Sequence, residues 1–172
     1  MSNEIVVLTG PESSGKTTLA EQLSNRWNAP LVREVARDYL QDKHSYQKSD
    51  LLSIAKLQNA MEKERADPSI KRLVCDTDLL VILTWSEVKY GGCDPWISET
   101  FENCLNQKQF TRHYILCDSK IPWEPDRLRE NSNNRDDLFA IYEKKLIAYK
   151  ANYFVVKGEP QDRLQQVLGR FN

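Results

Sequence analysis

The sequence contains no apolar run approaching the roughly 18–20 residues that a membrane-crossing helix requires. It has no basic stretch ahead of its first apolar segment either. MSNEIVVLTGPESSGK passes from a short strand-like segment directly into a glycine-containing loop, so a cleaved secretion signal is not expected. An excess of charge of one sign is also missing. The 24 basic and 25 acidic side chains of the 172 residues are interspersed and leave a net charge of -1, so no global field favours nucleic acid or an anionic membrane. The two histidines, His44 and His113, are isolated from each other. Cys75, Cys93, Cys104 and Cys117 form no C-x-x-C pair and have no histidine at ligand spacing. They read as free, mostly buried thiols in a reducing cytosol rather than as a metal site. Internal repeats, low-complexity tracts and long Gly/Ser/Pro linkers are absent. What these absences leave is one compact cytoplasmic domain, long enough to bury a core.

Within that domain, apolar β-branched runs alternate with longer helical stretches. EIVVLTG at 4–10 reads as a buried strand, followed by a helix over 16–27. LVREV at 31–35 reads as a second short strand. Apolar residues from Leu51 to Met61 recur at helical spacing, and Asp67-Pro68 ends that helix. RLVCD at 72–76 is a third strand, with helices expected over 79–90 and 96–107. RHYILCD at 112–118 is a fourth strand, 137–148 a helix, NYFVVKG at 152–158 a fifth strand, and 161–170 a closing helix. Continuous apolar strands alternating with helices predict an α/β fold of the P-loop NTPase kind. Its parallel sheet of about five strands would carry helices on both faces. The polar, Pro- and Arg-rich segment 119–136 reads as a lid-like loop.

The first of these loops carries recognisable chemistry. Gly10-Pro11-Glu12-Ser13-Ser14-Gly15-Lys16-Thr17 meets the pattern G-x-x-x-x-G-K-[ST], with Thr18 following, and it lies between a strand and a helix as that pattern requires. Glycines at 10 and 15 let the backbone curl with its N–H groups inward, and the following helix adds positive potential at its N-terminus. Lys16 is expected on the β- and γ-phosphates of ATP and Thr17 on Mg²⁺. The loop alone does not separate kinases from GTPases, motors or switches. No guanine-reading N-K-x-D is present, and the chain lacks the helical lid subdomain of a ring-forming ATPase.

Open α/β sheets bind ligands beyond the carboxyl ends of their strands, and three clusters fall there. Arg33-Glu34 with Arg37-Asp38 follow the second strand. Glu34 is placed to accept a proton from an attacking hydroxyl, with Arg33 or Arg37 orienting the reactants. Asp76-Thr77-Asp78 ends the third strand in Walker-B form, with Asp76 toward Mg²⁺, Thr77 or Asp78 capping the next helix, and Asp78 facing cap or substrate. The segment 122–137 supplies Arg127, Arg129 and Arg135, any of which could neutralise the transferring phosphoryl group as a lid closes. The alternative reading of each cluster is an ordinary solvated loop or helix start. Trp85, Tyr90, Trp96 and Trp123 are candidates for stacking on a base, and Trp85 reads equally well as core.

GPESSGKTTLAEQL, LVREVARDYL, CDTDLLVILTWSEVKYGG with DPW after it, and IPWEPDRLRE together resemble the ribosylnicotinamide kinase domain of NadR-type proteins and its stand-alone AAA-family relatives. The resemblance spans about residues 4–158. It implies a nucleoside-kinase-like fold and MgATP-dependent phosphorylation of the 5′-hydroxyl of nicotinamide riboside, yielding nicotinamide mononucleotide. In the resemblance, Gly15, Lys16, Thr17 and Thr18 match the phosphate and Mg²⁺ site, Glu34 and Arg37 the block after the second strand, and Asp76 and Asp78 the acidic block. Gly10, Glu12, Ser13 and Ser14 are further expected on the nucleotide, and Arg33, Tyr39 and Trp85 on the substrate. NadR proteins carry a further nucleotidyl-transfer domain, and some a DNA-binding domain. Neither is recognisable here, so neither operator binding nor dinucleotide synthesis is expected. The expected partner is a small nucleoside rather than nucleic acid or membrane, and a homo-oligomer is compatible with the sequence. Another nucleoside or nucleoside-monophosphate kinase, or a regulatory ATPase, is the competing reading.

Overall fold

The computed structural model describes residues 3–122, 124 and 134–171. Five strands and seven helices alternate among them: β1 Asn3–Thr9, α1 Lys16–Trp27, β2 Leu31–Val32, α2 Val35–Leu40, α3 Lys48–Arg65 and β3 Arg72–Asp76. They continue with α4 Leu79–Tyr90, α5 Pro95–Asn106, β4 Phe110–Cys117, α6 Arg135–Ala148, β5 Tyr153–Val156 and α7 Pro160–Arg170. The strands form one sheet in the order β2-β3-β1-β4-β5, and every adjacent pair is parallel. β1 is central because it is apolar on both faces. Ile5 and Val7 point into one core with residues of α2 to α6, and Val6 and Leu8 into a second core under α1 and α7. No helix among the described residues is long and apolar enough to cross a membrane.

The expected second strand, 31–35, is cut to two residues. The Val35 N–H is taken by the Gln58 side chain of α3 at 2.9 Å, and the Gln58 amide donates to the Arg33 carbonyl at 3.2 Å. A side chain thus satisfies backbone groups that a ladder would otherwise have paired, and α2 starts at once. Other elements lie within one or two residues of expectation. Asp78 caps α4 by accepting from the Leu80 N–H at 2.9 Å, and Asp94 caps α5 through the Trp96 N–H at 2.9 Å. Between Asp76 and that cap, Thr77 lies in the left-handed region at φ 73. A β-branched residue held there costs of order 1–3 kcal/mol.

The helix layer over Ile5 and Val7 is anchored by Phe101. Its ring meets Tyr114 and Tyr149 edge-on, at centroid separations of 6.4 and 5.0 Å. Phe101→Ala is expected to lower unfolding free energy by about 3–5 kcal/mol, measured by chemical denaturation, with the shape of the phosphate loop unaffected.

Candidate active site

The loop between β1 and α1 is shaped by close backbone approach. Gly10 has φ 132, and a Cβ there would sit 2.6 Å from the Cys117 carbonyl oxygen at the end of β4. Gly15, at φ 77, forms the N-cap of α1 and offers no side-chain cap. The first N–H groups of that helix are therefore presented to a ligand rather than to the protein's own hydroxyl. Lys16 folds back over the loop, its Nζ donating to the Gly10 and Pro11 carbonyls at 3.0 and 2.6 Å. Burial pushes the Lys16 ammonium below the ordinary lysine range, against the opposing pull of nearby carboxylates, with Glu34 foremost.

Beside this nest, at the end of β3, Asp76 is buried, and burial raises its carboxyl above the usual range while the Thr17 hydroxyl hydrogen-bonds to it. Its Oδ1 has no partner among the described residues. An orphaned buried carboxylate oxygen next to a helix-start hydroxyl and a phosphate nest matches the donor set of a hard divalent cation that also takes phosphate oxygens. No group of three or more His, Cys, Asp or Glu that could hold a metal exists among the described residues. Such a cation would accordingly depend on a bound phosphate for much of its coordination.

A cavity of about 530 Å³ joins the loop to a second half, lined by Glu34, Arg37, Trp85, Lys89 and Tyr142 among others. Glu34 is the N-cap residue of α2, yet its carboxylate makes no cap hydrogen bond. It lies 3.9 Å from the Arg37 guanidinium. The opposite wall comes from α4, where Val81, Thr84, Trp85 and Val88 recur at helical spacing. Trp85 is held edge-to-face on Tyr46 at 5.1 Å and donates to the Tyr46 hydroxyl at 2.9 Å, and it lines the cavity while packing partly against the core. The volume is in the range of small-molecule sites, which run from about 300 to 1,000 Å³.

Of the residues expected from sequence, the loop residues, Glu34, Arg37 and Trp85 converge on this cavity, with Asp76 beneath it bound to Thr17. Four do not. Arg33 turns outward to pair with Glu21 at 2.8 Å. Tyr39 lies in a separate shallow groove and donates to Asp50 at 3.1 Å. Asp78 faces the interior, where Arg112 and Tyr114 occupy it, so it is not a substrate contact. Arg135 spends its guanidinium on the carbonyls of Ser13, Ser119 and Ile121 and does not line the cavity. Arg127, Arg129 and Trp123 lie outside the described residues. Tyr90 donates to the Tyr46 carbonyl at 3.3 Å, Trp96 lies under Lys56, and neither lines the cavity.

Among the cavity residues not expected from the sequence, one is bonded to the phosphate loop itself. Arg163 of α7 is 1% exposed, donates to the Ser14 carbonyl and the Gly158 carbonyl at 2.7 Å each, and pairs closely with Asp118. It holds a loop carbonyl outward, which keeps the neighbouring N–H groups inward. Arg163→Met would leave Asp118 buried without its partner, and a loss of about 3–5 kcal/mol in unfolding free energy is expected. Adding Asp118→Asn should recover part of that loss in the same denaturation measurement.

The family model for an AAA domain, AAA_28, matches residues 5–163. No curated protein sequence gives a significant match. Among solved structures, the chain is similar to NadR in complex with NR, at 20% identity and TM-score 0.68, covering 91% of this chain and 46% of that one. This chain therefore spans less than half of that NadR chain. It is similar over its whole length to deoxyadenosine kinase from M. mycoides with bound dATP, at 16% identity and TM-score 0.65, covering 99% of this chain and 100% of that one. Thymidylate kinase from Ehrlichia chaffeensis aligns at 18% identity and TM-score 0.64, covering 100% of both chains. The fold is that of nucleoside and nucleotide kinases with a P-loop, and the chain belongs to the AAA-domain family AAA_28.

Proposed function

We propose that this protein is an ATP-dependent kinase that phosphorylates a hydroxyl of a small nucleoside, with the 5′-hydroxyl of nicotinamide riboside as the leading acceptor. The observation that carries the reading is the shared cavity: Lys16 and its phosphate nest open into the same space as Glu34 and the Trp85 wall. An apolar, aromatic wall in the same cavity as the phosphate loop suits a flat-ringed acceptor beside the donor phosphates. Mg²⁺, when bound with the nucleotide, would be held by Thr17 and Asp76 and would neutralise phosphate charge. Lys16 draws on the outer phosphates. Glu34 accepts the acceptor hydroxyl proton, and Arg37, 3.9 Å away, orients that carboxylate.

Nicotinamide riboside is favoured by the combination of the NadR resemblance and a cavity wall that includes Trp85, against which a flat ring could pack. A deoxynucleoside acceptor is the second reading. It is supported by the full-length coverage of the deoxyadenosine kinase chain, against 46% of the NadR chain. A kinetic screen of ribosides and deoxynucleosides with MgATP separates the two, and no turnover of nicotinamide riboside above background would remove the first.

In that assay Lys16→Ala is expected to abolish transfer. Glu34→Gln should cut kcat by about 10²–10⁴-fold while nucleotide affinity stays near wild type. Full activity in Glu34→Gln would show that another group takes the proton. The depressed Lys16 gives a pH prediction with a definite sign. A triphosphate binds the ammonium form, and above the lowered Lys16 value the free protein holds the amine neutral. Nucleotide affinity should then fall as pH rises, with proton uptake on binding in calorimetry, and Lys16→Met should lose this alkaline dependence.

A further inference from the structure

Thr77 sits between the metal-side Asp76 and the helix-capping Asp78 with φ 73, a backbone conformation that a β-branched residue does not adopt by preference. Something must hold it there. On the Asp78 side the restraint is visible. One carboxylate oxygen accepts from the Leu80 N–H at 2.9 Å. The other accepts from Arg112 Nη1 at 3.0 Å and from the Tyr114 hydroxyl at 2.6 Å. Arg112 is itself fixed by Glu62 of α3, with Nη1 at 3.3 Å from one oxygen and Nη2 closely paired to the other.

All four side chains are buried: Arg112 6% exposed, Glu62 7%, Asp78 2% and Tyr114 0%. None of them lines the cavity. Because β3 and β4 flank β1 on opposite sides, the Asp78 contacts bridge across the central strand. Two buried carboxylates and a guanidinium are a costly way to fill a core, since apolar side chains of similar volume do so at least as well. On the Asp76 side of the same turn lies the opposite condition, a buried Oδ1 with no partner among the described residues.

We infer that Arg112 and Tyr114, acting through Asp78, are positioning residues that lock the Thr77 turn and so aim the Asp76 carboxylate at the cation accompanying the nucleotide. The inference rests on the reading of Asp76 as a cation ligand given above. It reassigns Asp78 from substrate contact to the hinge point of a clamp. The clamp acts at one remove from the metal, as supporting hydrogen bonds around metal ligands commonly do.

The test measures binding rather than turnover. Affinity for a nonhydrolysable ATP analogue is determined by calorimetry with Mg²⁺ and with EDTA, for wild type, Tyr114→Phe and Asp78→Asn. Tyr114→Phe removes one hydroxyl and keeps the ring in place, and Asp78→Asn keeps an oxygen for the helix cap. Each variant is expected to lose about tenfold of the Mg²⁺-dependent gain in affinity while affinity in EDTA stays at the wild-type value. A wild-type Mg²⁺ gain in both variants overturns the clamp and leaves the proposed function standing. An equal fall with and without Mg²⁺ overturns it too, because it reports general loosening of the phosphate loop. A wild-type protein with no Mg²⁺ gain at all removes the cation from the proposed site, and the clamp with it.

Discussion

The carboxyl end of β4 is the surface on which the phosphate loop is built. The Cys117 carbonyl leaves no room for a side chain at position 10, so the loop is pressed directly onto the sheet. The next residue, Asp118, holds Arg163, and Arg163 in turn holds the Ser14 carbonyl. The carbonyls of Ser119 and Ile121 hold Arg135, which also reaches Ser13. Three successive steps along one strand end thus fix the loop from below, from the α7 side and from the segment above it. Preorganised N–H groups bind phosphate strongly because little is left to order when the ligand arrives. The same crowding accounts for the depressed Lys16, whose ammonium is shut in by the loop that it serves.

The other side of β1 carries the groups proposed for the acceptor and the cation. β3 ends in Asp76, and α4, which starts three residues later, forms the aromatic wall. The strand order places β3 and β4 on either side of β1, so donor groups and acid groups emerge at the point where the chain has crossed from one half of the sheet to the other. Cavity and topology therefore agree, although neither by itself names a substrate.

The features legible in the sequence were those with local signatures. Strand–loop–helix spacing marked the phosphate loop, and the alternation of apolar runs marked the sheet. An acid ending an apolar run marked Asp76. The features that were not legible depend on distant partners. Arg163 sits in an amphipathic helix where an arginine ordinarily faces solvent. Its partners at 118 and 14 are 45 and 149 residues away in the chain. Arg112 in β4 looks like a polar residue near a strand start, and only the sheet order brings it to Asp78. Arg33 and Tyr39 lie away from the cavity for the reverse reason. They lie close to Glu34 in sequence, but a helix begins at Val35 and fans its side chains around an axis, so Glu34 and Arg37 share a face that Arg33 and Tyr39 do not.

The charges inside the cavity bear on the choice between a kinase and a nucleotide-driven switch. A switch needs its loop to report the presence of the γ-phosphate, and a carboxylate facing that phosphate works against its binding. Here Glu34 opens into the phosphate cavity and is the carboxylate that acts most strongly on Lys16. It stands at the start of a six-residue helix whose entry is fixed by the Gln58 side chain, so its placement is rigid rather than incidental. Repulsion of that kind is tolerable where the carboxylate has a proton to receive. In the proposed reaction the proton of the attacking acceptor hydroxyl would pass to Glu34, and the negative charge facing the transferring phosphoryl group would be removed during the step in which it does most harm.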